Sequence, residues 1–167
     1  MIRVTRSAII DAPIERVWAV LRDFNSHTAW HPVVAESEIE GGERSDQIGC
    51  VRRFTLRDGN RIREQLLALS DRDHVSTYCI LDATVPLRRY VATVQLRRVT
   101  DGDRTFWHWE STFDVPRGRE REFADLERRL SDALAQIDVS GPVSALEGRL
   151  AHLEKRLTTL EMKKTGG

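Results

Sequence analysis

Arg52, Glu64, Tyr78 and Tyr90 fall by strand alternation on one inward-facing surface, among apolar neighbours. Their chemistry suits work on a small molecule. A buried carboxylate can take a proton and return it, an arginine keeps its charge and steadies negative oxygen, and two phenols can orient a polar group. In the stretch from Cys50 to Leu56, the alternate set Cys50, Arg52, Phe54 and Leu56 shares a face, with Arg52 the polar member. After Asp58-Gly59, a hairpin signal, Ile62, Glu64, Leu66 and Ala68 share the next inward face, and Arg61, Arg63 and Gln65 point out. Tyr78 runs with Ser76 and Ile80, and Tyr90 with Ala92, Val94 and Leu96. Desolvation raises the pKa of a carboxylate in such a setting and a nearby arginine lowers it, a balance that suits Glu64 to proton transfer near neutral pH. The same four groups serve equally as anchors for the head of a ligand bound without turnover. A third reading makes Arg52 and Glu64 a purely structural ion pair between neighbouring strands.

Around this set stand further candidate ligand contacts. Phe54 shares the face of Arg52. Trp107 and Trp109 share a face with Ser111 and Phe113, as an aromatic wall or as core, and Trp109 is the ligand contact chosen. Trp30 is placed between a short helix and the cavity mouth, as core or as ligand contact, and His31 at its rim. His27 and His31 have the i, i+4 spacing of a helical metal grip, but Pro32 ends the helix and no third ligand is near, so no metal is expected. Neither a phosphate loop, a nucleophile elbow nor a dinucleotide fingerprint is present, and no cofactor is expected.

The elements that position these groups follow from periodicity. A strand over Arg3 to Ile10 leads to Asp11-Ala12-Pro13, which caps a helix whose buried stripe is Ile14, Val17, Trp18 and Leu21. Asn25-Ser26 starts a short helical turn that ends before Pro32. Six strands follow, the last over Thr105 to Asp114, and then a long helix with Phe123, Leu126, Leu130, Ala133, Leu134 and Ile137 on one stripe. The class is α+β, a curved seven-stranded antiparallel sheet gripping a long C-terminal helix.

Composition narrows the partners. With 167 residues, 40% hydrophobic, the chain can build one real core. Lys and Arg total 26 against 26 for Asp and Glu, which gives no net field to attract nucleic acid or an acidic membrane. The start lacks the apolar run of a signal peptide and no stretch reaches the ~20 apolar residues of a membrane span, so a cytoplasmic protein is expected, with no membrane insertion. Cys50 and Cys79 read as reduced, buried thiols.

Several motifs together resemble a known family. These are Asp-Ala-Pro-Ile-Glu-Arg-Val-Trp at residues 11 to 18, Trp30-His31-Pro32, Gly49-Cys50-Val51-Arg52, Arg63-Glu64-Gln65-Leu66, and Trp107-His108-Trp109 ahead of Phe113-Asp114. Their series resembles the START-like, birch-pollen-allergen superfamily, in its polyketide cyclase/dehydrase-like branch, over roughly residues 2 to 137. The resemblance implies the helix-grip fold and a small hydrophobic molecule as ligand. Within it, the Gly-Cys-Val-Arg and Arg-Glu-Gln-Leu stretches are similar to those of plant lachrymatory factor synthases. That likeness implies functional roles for Arg52 and Glu64, with Tyr78 and Tyr90 near pocket tyrosines, and cofactor-independent isomerase, dehydratase or cyclase chemistry. Hormone receptors of the same superfamily imply binding without turnover.

The tail carries a separate signal. After Ser140-Gly141-Pro142, Val143, Leu146, Leu150, Leu153, Leu157 and Leu160 alternate three and four apart, the seam of a coiled coil. With Val143 at a, the e positions are Glu147, Glu154 and Glu161 and the g positions Arg149, Arg156 and Lys163, which favours a parallel homo-oligomer. The alternative is a helix folded back on its own domain. The expected division is 1–138 for the grip domain, 139–142 for a linker, 143–163 for the coil and 164–167 for a disordered tail.

Overall fold

The structure is a computed structural model and describes residues 1–118 and Phe123. The long helix, the linker and the coiled-coil seam expected beyond Phe123 fall outside the described residues.

Seven strands form one antiparallel sheet: β1 (Ile2–Ile10), β2 (Val34–Ile39), β3 (Val51–Leu56), β4 (Arg61–Ser70), β5 (Val75–Ala83), β6 (Arg88–Val99) and β7 (Arg104–Asp114). Their spatial order is β1-β7-β6-β5-β4-β3-β2, a meander whose last strand pairs with the first. Among the described residues, the helices α1 (Ile14–Leu21) and α2 (His27–Trp30) lie in the connection between β1 and β2. α1 packs over β6 and β7, and α2 against β2.

Local sequence explains these elements. β7 alternates strictly, with Thr105, Trp107, Trp109, Ser111 and Phe113 buried and their neighbours half-exposed. α1 buries Ile14, Val17 and Trp18 as its spacing predicts, together with Val20. The helix cap falls on Pro13, the last residue of Asp11-Ala12-Pro13. No side chain hydrogen-bonds to the cap, so Asp11 does not do that work; instead Arg16 N and Val17 N donate to Pro13 O at 3.1 and 3.2 Å. The Asp58-Gly59 signal does close the β3–β4 hairpin, with Gly59 at φ +87°, a conformation that suits glycine. Thr105 Oγ1 donates to Ala12 O at 2.7 Å and fixes the approach to α1 against β7.

One alternation fails midway. Ile62, Glu64 and Leu66 are buried in β4, but Ala68 is exposed and Leu69 packs against the core instead. The register explains it: Leu66 pairs with Tyr78 and Ala68 with Thr77, so Leu67 is an extra residue that reverses the facing of the rest of the strand. Further register shifts occur between Val34 and Glu36, between Arg63 and Glu64, and between Arg88 and Val91.

The main core lies between α1 and the middle of the sheet, and includes Val17, Trp18, Phe24, Leu66, Leu96 and Trp107. A second cluster of Val34, Phe54 and Ile62 holds the β2–β4 side. The hollow lies beside both. Among the described residues no helix is long and apolar enough to cross a membrane.

Candidate functional site, a polar-tipped internal cavity

β3 and β4 set Arg52 directly opposite Glu64, and Phe54 opposite Ile62. All four are buried, with Arg52 1% and Glu64 5% exposed. A one-residue slip of either strand would turn them outward, so this register is what puts two charges inside. Arg52 Nε donates to Glu64 Oε2 at 3.2 Å, and its Nη2 donates to the same oxygen. Nη1 donates to the backbone carbonyl of Phe24, and the guanidinium lies over the Phe24 ring, 3.9 Å from its centroid. Arg52 is thus held on three sides. Glu64 is held through one oxygen alone, and Oε1 has no hydrogen-bond partner among the described residues.

Burial pushes the Glu64 carboxyl above its ordinary pKa, and Arg52 pulls against that shift without cancelling it. Tyr78 is buried beside the pair, where its hydroxyl accepts from Trp109 Nε1 at 3.1 Å. Desolvation, then the Glu64 charge, raises the Tyr78 phenol far above its usual pKa. Tyr90 is half-buried and stacks on Phe113 at 5.9 Å between centroids. Its phenol is likewise raised by burial first, then by Tyr78 and Glu64. The nearby Ser111 hydroxyl eases that shift, although the two oxygens do not meet hydrogen-bond geometry.

These groups line one cavity of about 150 Å³. Every candidate contact read from the sequence is on its lining: Arg52, Phe54, Glu64, Tyr78, Tyr90, Trp109, Trp30 and His31. Trp107 and Phe123 line it too. Its rim is built from three connected segments. Arg57 N and Nε donate to Val33 O and Pro32 O at 2.9 and 2.8 Å, joining the β3–β4 turn to the exit of α2. Thr84 Oγ1 donates to Asn60 Oδ1 at 2.8 Å, joining that turn to the β5–β6 loop, whose Val85 and Leu87 reach the cavity.

α2 carries the other polar side of the hollow. His27 packs edge-on to Phe54 at 5.7 Å and to Trp30 at 4.8 Å, and lies 5.5 Å from His31. Trp30 Nε1 donates to Ser26 Oγ at 3.0 Å. Burial, then the Arg52 charge, holds His27 well below the usual histidine pKa and His31 at about 4. Both rings are therefore neutral at pH 7. No group of residues suited to hold a metal occurs among the described residues.

Two partners of the site have no clear sequence signal. Phe24 contributes a backbone carbonyl, which side-chain patterns do not report, and a ring that no alternation places. His27 is legible only as a metal-ligand spacing, whereas it sits in the lining as a neutral ring. Three buried side-chain polar atoms have no hydrogen-bond partner among the described residues: His27 Nδ1, His31 Nδ1 and Ser111 Oγ. All three belong to residues of this one lining.

Comparison with known proteins agrees with this architecture. Residues 1–157 match the family described as polyketide cyclase / dehydrase and lipid transport. The chain is 29% identical over 118 residues to the abscisic acid receptor PYL10 of Arabidopsis thaliana, covering 68% of this chain and 63% of the receptor. It is 25% identical to the abscisic acid receptor PYL7 of the same plant, covering 54% of that protein. The chain therefore spans less than two thirds of either receptor. Among solved structures, the protein XoxI of Bacillus cereus superposes with a TM-score of 0.70 at 28% identity, over 81% of this chain and 94% of that one. An uncharacterised Bacillus thuringiensis protein gives 0.69 at 29%, over 80% and 93%. Both likenesses span about four fifths of this chain and fit the START-like resemblance of the motifs. The chain belongs to the polyketide cyclase / dehydrase and lipid transport family.

Proposed function

We infer that this protein binds a small, mostly apolar molecule in its internal cavity and holds the polar head of that molecule at Glu64, with Tyr78 and Tyr90 beside it. One observation carries the reading. Fully enclosed polar atoms are nearly always partnered, yet the three unpartnered enclosed side-chain atoms among the described residues, His27 Nδ1, His31 Nδ1 and Ser111 Oγ, all belong to the lining of this hollow. A guest with polar groups, or ordered water in its absence, supplies what the protein withholds. Apolar walls such as Phe54, Trp107 and Trp109 supply most of the affinity. Arg52 is the positioning residue, fixing Glu64 rather than touching the guest.

Native mass spectrometry of the untagged protein purified gently tests this. The expected spectrum contains a mass above that of the bare chain, released on denaturation as an apolar organic compound. A bare chain that also fails to take up long-chain alcohols from solution counts against the reading.

A second reading is favoured by the raised pKa of Glu64. A carboxyl so placed can move a proton between two atoms of a bound substrate, as in isomerisation, dehydration or cyclisation without cofactor. Three of the five guanidinium N–H groups of Arg52 are spent on Glu64 and the Phe24 carbonyl, which leaves one on Nη1 and one on Nη2 for an oxyanion in such a reaction. The check is conversion of a β,γ-unsaturated ketone to its conjugated isomer in deuterated water. Wild type should introduce deuterium and Glu64→Gln should not; no difference between the two removes the chemistry and leaves the binding.

A further inference from the structure

The head-group end of the cavity has an unusual charge arrangement. Arg52, the arginine of the lining among the described residues, directs Nε–H and one N–H of Nη2 to Glu64, one N–H of Nη1 to the Phe24 carbonyl and its flat face to the Phe24 ring, and its charge is balanced by Glu64. It is also more completely buried than its partner, 1% against 5%. Both members line the hollow, and Glu64 keeps there an oxygen, Oε1, with no hydrogen-bond partner among the described residues. The remaining lining charges described, Asp23 and Asp58, are also acidic.

The field inside the cavity follows from this geometry. Glu64 acts on Tyr78, Cys79 and Tyr90, and at both tyrosines its effect is larger than that of Arg52. Arg52 acts on His27 and His31, on the α2 side. At the two tyrosines the carboxylate is therefore the stronger of the two charges. A ligand carboxylate placed at Glu64 would put two like charges in a poorly solvated site whose one described arginine charge is already balanced by Glu64, which opposes binding strongly. A hydroxyl or N–H placed there donates to the unpartnered Oε1 and completes the carboxylate.

We propose that the cavity selects uncharged ligands that offer a hydroxyl or N–H donor to Glu64 Oε1, and rejects carboxylates of the same carbon skeleton. The inference rests on the ligand-binding reading above and adds the class of head group. It separates this chain from any binder whose pocket cation is free to receive an acid.

The experiment is calorimetric titration of the full chain with matched pairs at pH 7: a naphthyl carbinol against the corresponding naphthoate, and decanol against decanoate. Wild type should bind at least one alcohol tenfold or more tightly than its acid. Glu64→Gln, which frees Arg52 from its counter-charge while keeping the side-chain shape, should lose that preference and gain affinity for the acid. Equal or tighter binding of the acids by wild type overturns the inference and leaves the pocket reading intact. Binding of neither member of either pair removes the ligand-binding reading and the inference with it. Where Glu64→Gln does not fold, as judged by circular dichroism, the wild-type pairs decide alone.

Discussion

Arg52 and Glu64 stand directly opposite each other on β3 and β4, both buried, with two guanidinium nitrogens sharing a single carboxylate oxygen. Breaking such a pair from one side leaves an uncompensated buried charge, whereas replacing both members leaves none. Arg52→Met should therefore lower the unfolding free energy by about 3–5 kcal/mol. The double variant Arg52→Met, Glu64→Leu should recover most of that loss. Urea denaturation of the three proteins reads both effects. A double variant no more stable than the single one would show that the arginine stem and its stacking on Phe24, rather than the charge balance, hold this part of the sheet.

His27 and His31 predict an acid-side loss of stability. Their folded pKa values lie below that of an exposed histidine, about 4 for His31. The unfolded chain therefore binds protons that the folded chain refuses. The stabilisation they contribute is complete above about pH 6.5 and is lost as pH falls toward about 4. Glu64 runs the other way, since its folded pKa is raised; its contribution is complete below the ordinary carboxylate value and declines as pH rises. Comparison of wild type with a His27→Gln, His31→Gln variant isolates the histidine part. Between pH 7 and pH 5 wild type should lose roughly 2 kcal/mol per ring, about 4 kcal/mol for the two, more than the variant. Parallel curves would mean that the two rings take up protons in the folded state as readily as in the unfolded one.

Thr105 is fully buried, and its hydroxyl is bonded to the Ala12 carbonyl. Thr105→Val keeps the shape and removes the donor, leaving a carbonyl at the entrance of α1 with one partner fewer. The expected cost is about 1–2 kcal/mol, read by thermal denaturation. Thr105→Ser, which keeps the donor, should cost less than Thr105→Val despite losing a methyl group. The reverse order would assign the role of this residue to packing.

The heptad seam proposed for 143–163 lies outside the described residues and is tested by mass in solution. Sedimentation equilibrium should find an oligomer for the full chain. Leu150→Lys combined with Leu157→Lys, which places like charges on the seam, should give monomers with an unchanged circular dichroism signal from the sheet. A monomeric wild type removes the seam as an association device.

How much of this was legible in the sequence varies with the kind of interaction. Period-two alternation put Arg52, Glu64, Tyr78 and Tyr90 on one face, because a buried face leaves a strand little freedom of register. Ala68 defeated the same rule, since a single extra residue at Leu67 changes facing without any compositional mark. The Phe24 carbonyl and the cap at Pro13 escaped for a related reason: both act through the backbone, whose hydrogen bonding is fixed by tertiary placement. Of the α2 histidines, His31 was legible as a rim contact and His27 only as its helical partner, and the neutrality of neither was legible. Their protonation depends on burial and on Arg52, which is distant in sequence.

The irregular points in the ladder have a larger consequence. The interruptions near Val34, Glu64, Leu67 and Arg88 bend strands that would otherwise lie flatter against the helical layer. The hollow is thus shaped by hydrogen-bond spacing in the main chain, and the side chains that face it furnish a room whose walls already stand. Such a division of labour lets the furnishing change without collapsing the room: one frame can receive chemically unrelated guests through a few inward substitutions.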